Sequence, residues 1–279
     1  MRNALSVDVE DWFQVGAFET VIDKADWDSL APRVERNTDA VLALFGESGV
    51  KATFFTLGWV AKRYPALIRR IVEQGHELAS HGWDHQRVFT MDAALFRADL
   101  SRARHTLEDA AGVAVTGYRA PSFSIDQRTP WAHAVLAEAG YAYSSSVAPL
   151  QHDHYGWPEA PRFAFRPLAD SDLVEVPVTV ADVAGHRLAT GGGFFRLFPA
   201  ALTNYAIRQV EGAGQPAIFY FHPWEIDPGQ PRVTNAPVKS RLRHYSRLGA
   251  MAGKLRTLIR RHDWGRMDAV VAAARPGIA

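Results

Sequence analysis

Short apolar strands alternate with amphipathic helices about six times along this 279-residue chain, and no linker rich in Gly, Ser or Pro breaks the order. That alternation confines the fold to the α/β class with a mainly parallel sheet. A single barrel of about 250 residues is the natural closure. Ala4–Val9, Ala52–Leu57, His76–Ser80, Thr116–Arg119, Tyr141–Ser146, Asp172–Thr179 and Ala217–Phe221 read as strands. Thr38–Gly49, Trp59–Gln74, Asp92–Ala111, Thr129–Ala139 and Pro199–Val210 read as helices. Thr38 is the expected cap of the first, and Gly49, Gly75 and Gly140 are expected stops. Leu95, Leu100 and Leu107 are expected on one buried stripe. Gln151–Pro167 reads as a rim or lid, and Ser240–His262 as one basic helix.

Polar residues collect just after the strands: Asp8, Glu10 and Asp11; then His81 to His85; then Arg119, Pro121 and Ser122; then His222 to Glu225. In a parallel barrel these strand ends share one face, where active sites sit. His81 and His85 are four apart, so a helical turn would put both imidazoles on one side. Two imidazoles and a carboxylate suit Zn²⁺ or a similar divalent ion. Asp8 and Glu10 are two apart, so an extended backbone points them the same way. One can bind metal while the other works as a base. Trp12, Trp83 and Trp224 flank these motifs and Trp157 lies on the expected rim, so all four are candidate platforms for a sugar ring.

Composition removes several alternatives. With no Cys, a disulfide framework, a thiolate metal site and a Cys nucleophile are excluded. No apolar run reaches the length of a membrane span. The N-terminus lacks the apolar stretch of a secretory signal, so the expected location is cytoplasmic. Net charge is +1, but unevenly spread. Arg232 to Arg275 carry 11 basic and 2 acidic residues, against 20 basic and 28 acidic in the remainder. Peripheral contact with an anionic membrane is one expectation, and a solvated basic face is the other. No nucleic-acid-binding module accompanies the basic segment, so no nucleic-acid partner is expected.

The order acid, His-x-x-x-His, Arg-x-Pro, His-Pro resembles the NodB-like polysaccharide deacetylases, carbohydrate esterase family 4. SVDVEDWFQV near the start and FHPWEIDPGQPRV with SRLRHYSRLG near the end resemble the branch found in exosortase/PEP-CTERM exopolysaccharide loci. The resemblance implies a distorted (β/α) barrel of NodB type over residues 1–231, with residues 232–279 as a basic helical extension packed on the same domain. It implies a metal-dependent hydrolase that removes N-acetyl groups from amino sugars of a polysaccharide or its precursor. Asp8 would be the base, Glu10, His81 and His85 the metal ligands, and Arg119 the partner of Asp8. His222 would be the acid, and Pro121 with Ser122 would form the oxyanion wall. One departure matters. The usual first motif has two adjacent aspartates, whereas here Glu10 lies between Asp8 and Asp11. Asp8 as base with Glu10 as ligand is the preferred reading; Glu10 with Asp11 as the adjacent pair, Asp11 being the ligand, is the alternative. Two other functions remain on the same fold: a metal-independent amidohydrolase of a small cyclic amide, and a non-catalytic carbohydrate-binding protein.

Overall fold

In the computed structural model, which describes residues 2–152 and 155–275, strand parity decides which side chains meet. Of the expected rim loop, Asp153 and His154 lie outside the described residues, as do the last four residues of the expected extension. The elements run β1 (Asn3–Val9), α1 (Val34–Ser48), β2 (Thr53–Thr56), α2 (Gly58–Arg63), α3 (Pro65–Glu73), β3 (Glu77–Ser80), α4 (Ala93–Ala111), β4 (Gly117–Tyr118), α5 (Ala132–Glu138) and β5 (Tyr143–Ser144). There follow β6 (Val174–Glu175), β7 (Val180–Val183), β8 (His186–Ala189), α6 (Gly192–Leu197), α7 (Ala200–Gly212), β9 (Ile218–Phe221), α8 (Val238–Tyr245), α9 (Leu248–Arg261), β10 (Trp264–Gly265) and α10 (Met267–Ala274).

The main sheet is parallel throughout and runs β10-β1-β2-β3-β4-β5-β6, with β9 also paired to β1. It curves into a distorted barrel with helices outside. The gap between β6 and β9 is bridged beside Thr179. Its N–H donates to the Ile218 carbonyl at 3.1 Å, and the Ile218 N–H donates to Thr179 Oγ1 at 2.7 Å. Successive side chains on a strand point to opposite faces. Leu5, Val7, Val9, Phe54, Leu78, Phe219 and Phe221 therefore join the core under the helices. Ala4, Phe55, Ala79, Tyr143, Val174, Ile218 and Tyr220 fill the barrel interior instead. Continuing the interior register past the strand ends gives Asp8 and Glu10, His81, Arg119 and His222.

Several local expectations change once tertiary contacts are included. The helix expected from Thr38 begins at Val34, because the Asp11 carboxylate reaches across to accept from the Arg33 and Val34 N–H groups. Gly49 closes that helix at φ 65°, the left-handed region that glycine tolerates. The run Trp59–Gln74 is two helices, not one. Pro65 has no N–H to donate and starts α3 at its first position. Leu95 is 57% exposed and Phe96 takes its place in the core. The expected helix Ser240–His262 breaks at Arg247, whose φ is +57°, and Leu242 ends up 63% exposed. The β7–β8 hairpin had no legible signal: its two-residue turn, Ala184-Gly185, has φ of 51° and 80°, the primed geometry that Asn-Gly would have announced.

Candidate active site

β1 carries Asp8 and Glu10 into the barrel mouth, each 2% exposed. Asp11 has the opposite parity and leaves the site. Its carboxylate accepts from three backbone N–H groups: Trp12 at 2.8 Å, Arg33 at 2.7 Å and Val34 at 3.0 Å. These bonds tie it to the backbone before α1, and the described residues whose ligand atoms cluster with His81 and His85 include Glu10 but not Asp11. The alternative that placed Asp11 as the carboxylate ligand therefore has no geometric support here.

Glu10, His81 and His85 bring one ligand atom each within 4.8 Å of one another. His81 follows β3 directly. His85 is brought back to it not by a helix but by an irregular turn, with Gly82 at φ 74° and His85 itself at φ 60°. A non-glycine residue held there stores backbone strain, as functional sites often do. His81 Nδ1 lies 2.8 Å from the Arg119 carbonyl, which can only accept. Nδ1 therefore carries the proton and Nε2 presents a lone pair. Burial, reinforced by the charge of His85, pushes the His81 imidazole down to about 4.

Glu10 Oε1 accepts from Trp224 Nε1 at 3.1 Å. Oε2 lies 2.9 Å from His85 Nε2, yet it is buried without a hydrogen bond of acceptable geometry. Burial alone would raise the Glu10 carboxyl; the neighbouring His85 and His222 overcome it and hold it near 2. A buried anionic oxygen without a donor, facing two imidazoles, is a donor set that fits a divalent cation. The residues present thus fit a metal.

Asp8 and Arg119 form a buried pair. Arg119 is fully buried, and its Nη1 donates to Asp8 Oδ1 at 2.7 Å and to Ser6 Oγ at 2.8 Å. Its other nitrogens bond the Ser145 carbonyl and hydroxyl. Asp8 Oδ2 faces His222 Nε2 at 3.9 Å. His222 Nδ1 is 3.1 Å from Glu225 Oε2. Burial would lower the His222 imidazole, but the carboxylates of Glu10, Glu225 and Asp8 outweigh it and raise it to about 9. After Arg119, Pro121 is buried while Ser122 and Phe123 line the cleft, both left-handed at φ 55° and 48°.

These groups open into a cleft of about 480 Å³, whose aromatic walls are Phe123, Tyr155, Tyr220 and Trp224. Of the expected sugar platforms, only Trp224 lines it. Trp12 is buried with its indole N–H on the Ala31 carbonyl, and Trp83 lies outside the cleft under the Arg102 guanidinium, 3.5 Å away. Trp157 packs against the main core. Tyr155 and Tyr220 were missed because nothing local marks an aromatic residue as facing a cleft rather than a core.

Residues 25–144 match the polysaccharide deacetylase family, and residues 145–272 match a family described as a domain of unknown function. A chitin deacetylase of Pestalotiopsis is 31% identical over 121 residues, 42% of this chain and 40% of that protein. A peptidoglycan-N-acetylglucosamine deacetylase of Listeria monocytogenes is 30% identical over 91 residues, 33% of this chain and 20% of its own. The chain thus spans well under half the length of these curated relatives. A Mycobacterium smegmatis protein assigned to the polysaccharide deacetylases superposes with a TM-score of 0.64 at 23% identity, covering 99% of this chain and 91% of that one. The PuuE allantoinase superposes at 0.61 with 16% identity, covering 98% and 89%. Residues 25–144 thus match a polysaccharide deacetylase domain, and the chain folds as a NodB-type (β/α) barrel. The matched segment holds His81, His85 and Arg119, while Asp8 and Glu10 come from before it and His222 from the region of unknown function.

Proposed function

We propose that this chain is a metal-dependent hydrolase that removes N-acetyl groups from amino sugars of a polysaccharide or its precursor, in exopolysaccharide assembly. What carries the proposal is one cleft where Glu10, His81 and His85 converge beside the Asp8–Arg119 pair and His222. A divalent ion such as Zn²⁺, held by Glu10, His81 and His85, would act as a Lewis acid on the acetyl carbonyl and make water more acidic. Asp8 Oδ2 takes a proton from the attacking water while Arg119 holds Oδ1. The water oxygen bonds to the acetyl carbon, and the Ser122 backbone N–H behind Pro121 meets the oxyanion. His222 Nε2 gives its proton to the sugar nitrogen as the C–N bond breaks, leaving acetate and a free amine. Trp224, Tyr155 and Tyr220 wall the sugar site. A neighbouring hollow of about 540 Å³ shares Val15, Glu19, His85 and Arg87 with the cleft, room for a further sugar unit.

Acetate release from N-acetylated oligosaccharides, with metal analysis of the purified protein, tests this reading. Turnover of allantoin without metal, and no acetate, would favour the cyclic-amide alternative. For His222→Ala, kcat is expected to fall by about 10²–10⁴-fold with KM little changed, as for a positioned acid. A purely structural histidine would lower stability instead. In metal-free protein the raised His222 contributes stability that is complete below about pH 6.5 and lost as pH rises through about 9. Denaturation of metal-free wild type and His222→Ala at both pH values checks that sign: the variant should lack this component of the pH dependence.

The basic C-terminal segment supports weak contact with an anionic membrane. No helix of the described residues is long and apolar enough to cross one. Lys254 is spent on the Phe195 and Phe198 carbonyls and Arg256 on Glu47. Arg260 and Arg261 stay exposed, as does Leu242 on α8. At roughly 1 kcal/mol per basic residue near anionic lipid, binding is weak and salt-sensitive. Cosedimentation with phosphatidylglycerol vesicles at low salt, lost at high salt and absent with phosphatidylcholine, is the expected result.

A further inference from the structure

Arg196 lies on α6 with 1% of its surface exposed, and every one of its nitrogens is engaged. Nε donates to Glu225 Oε1 at 2.9 Å. Nη1 donates to the His244 carbonyl and to the Ser246 carbonyl at 3.0 Å, and Nη2 to the Arg243 carbonyl at 2.8 Å. These carbonyls lie in the last turn of α8 and the break beyond it, where a helix runs out of its own N–H partners. Glu225 turns its other oxygen to His222, accepting from the backbone N–H at 3.0 Å and lying 3.1 Å from Nδ1. A carboxylate only accepts, so Nδ1 carries a proton and Nε2 faces Asp8 and Glu10. A second link runs in parallel. Trp224 is stacked between His222, at 5.2 Å and 20°, and His244 of α8, at 4.2 Å and 12°. α8 and Pro237 before it also form part of the cleft lining, through Pro237, Lys239, Ser240 and Arg243.

We propose that Arg196 is a positioning residue that couples the placement of α8 at the cleft rim to the orientation of the His222 ring. The inference rests on the function proposed above. A buried Arg–Glu pair is not in itself a source of stability, because its desolvation cost offsets its attraction. Its place here is geometric. One planar guanidinium spans three helix-end carbonyls and the carboxylate that holds the acid, a fork that a lysine ammonium cannot reproduce. The matched region of unknown function then has a role: it builds the acid side of the site.

Arg196→Lys and Arg196→Met in the full chain test this. An N-acetyl sugar needs a proton on its leaving nitrogen, whereas the phenolate of 4-nitrophenyl acetate leaves without one. The expected result is a fall in kcat of about 10–100-fold on N-acetylated oligosaccharide, part of the span of a positioned acid, with ester hydrolysis and metal content unchanged. An equal fall on both substrates, or none on either, overturns the inference. Should Arg196→Met fail to fold, Arg196→Lys and Glu225→Gln are compared in the same way. If the wild type itself releases no acetate, the functional reading fails separately. The coupling is then read without activity, from the Nδ1–H resonance of the His222 ring: a sharp, exchange-protected signal in wild type that broadens or is lost in Arg196→Lys supports it, and identical spectra overturn it.

Discussion

Replacing His81 or His85 by alanine is expected to remove the bound divalent ion and nearly all acetate release, while the fold survives. Both residues lie beyond the end of β3, and their side chains turn to the site rather than to the helix-facing core. The structural loss for His81 is its bond to the Arg119 carbonyl and some packing. A hydrogen bond of that kind is worth about 1 kcal/mol net. Loss of one of three ligands is far larger for the metal. Glu10→Gln is expected to behave in the same way, since it removes the only anionic ligand of the cluster while leaving an oxygen for Trp224 Nε1. Asp11→Asn supplies the contrast. It should keep the metal and lose about 0.5–2 kcal/mol of stability, the worth of a helix cap. Metal content by mass spectrometry and thermal melts separate these outcomes. Equal metal in wild type and the histidine variants would sink the ligand assignment, and metal loss in Asp11→Asn with retention in Glu10→Gln would reverse the carboxylates.

Asp8→Asn is expected to retain metal and lose turnover by about 10²–10⁴-fold, the range for a positioned proton acceptor. Asparagine keeps a carbonyl oxygen for Arg119 Nη1 but cannot take the proton. Stability should fall too. Arg119 is fully buried with Asp8 as its ion-pair partner, and removing one member of a buried pair costs about 3–5 kcal/mol. The surviving bonds to Ser6, the Ser145 carbonyl and the Ser145 hydroxyl should keep the loss toward the lower end. Turnover is therefore normalised to folded protein. Full activity per folded molecule would show that Asp8 serves only to neutralise Arg119.

The part of the site legible in the sequence follows from local periodicity. A strand repeats every two residues, so Asp8 and Glu10 had to share a face, and the ends of parallel strands had to gather on one rim. The interior register of β1, β3, β4 and β9 delivers Asp8, Glu10, His81, Arg119 and His222 to one place for that reason. Tertiary structure decided whatever depends on groups far apart in the chain. The cap of α1 is a carboxylate from more than twenty residues upstream, so no local signal could place that helix start. Trp224 holds Glu10 from 214 residues away. Arg196 reaches Glu225 and the end of α8 across 29 and about 50 positions. Whether Trp12, Trp83 or Tyr155 faced core or cleft was equally hidden, because an aromatic ring has the same local pattern in both. Burial is settled only when the barrel closes and every other surface has found its partner.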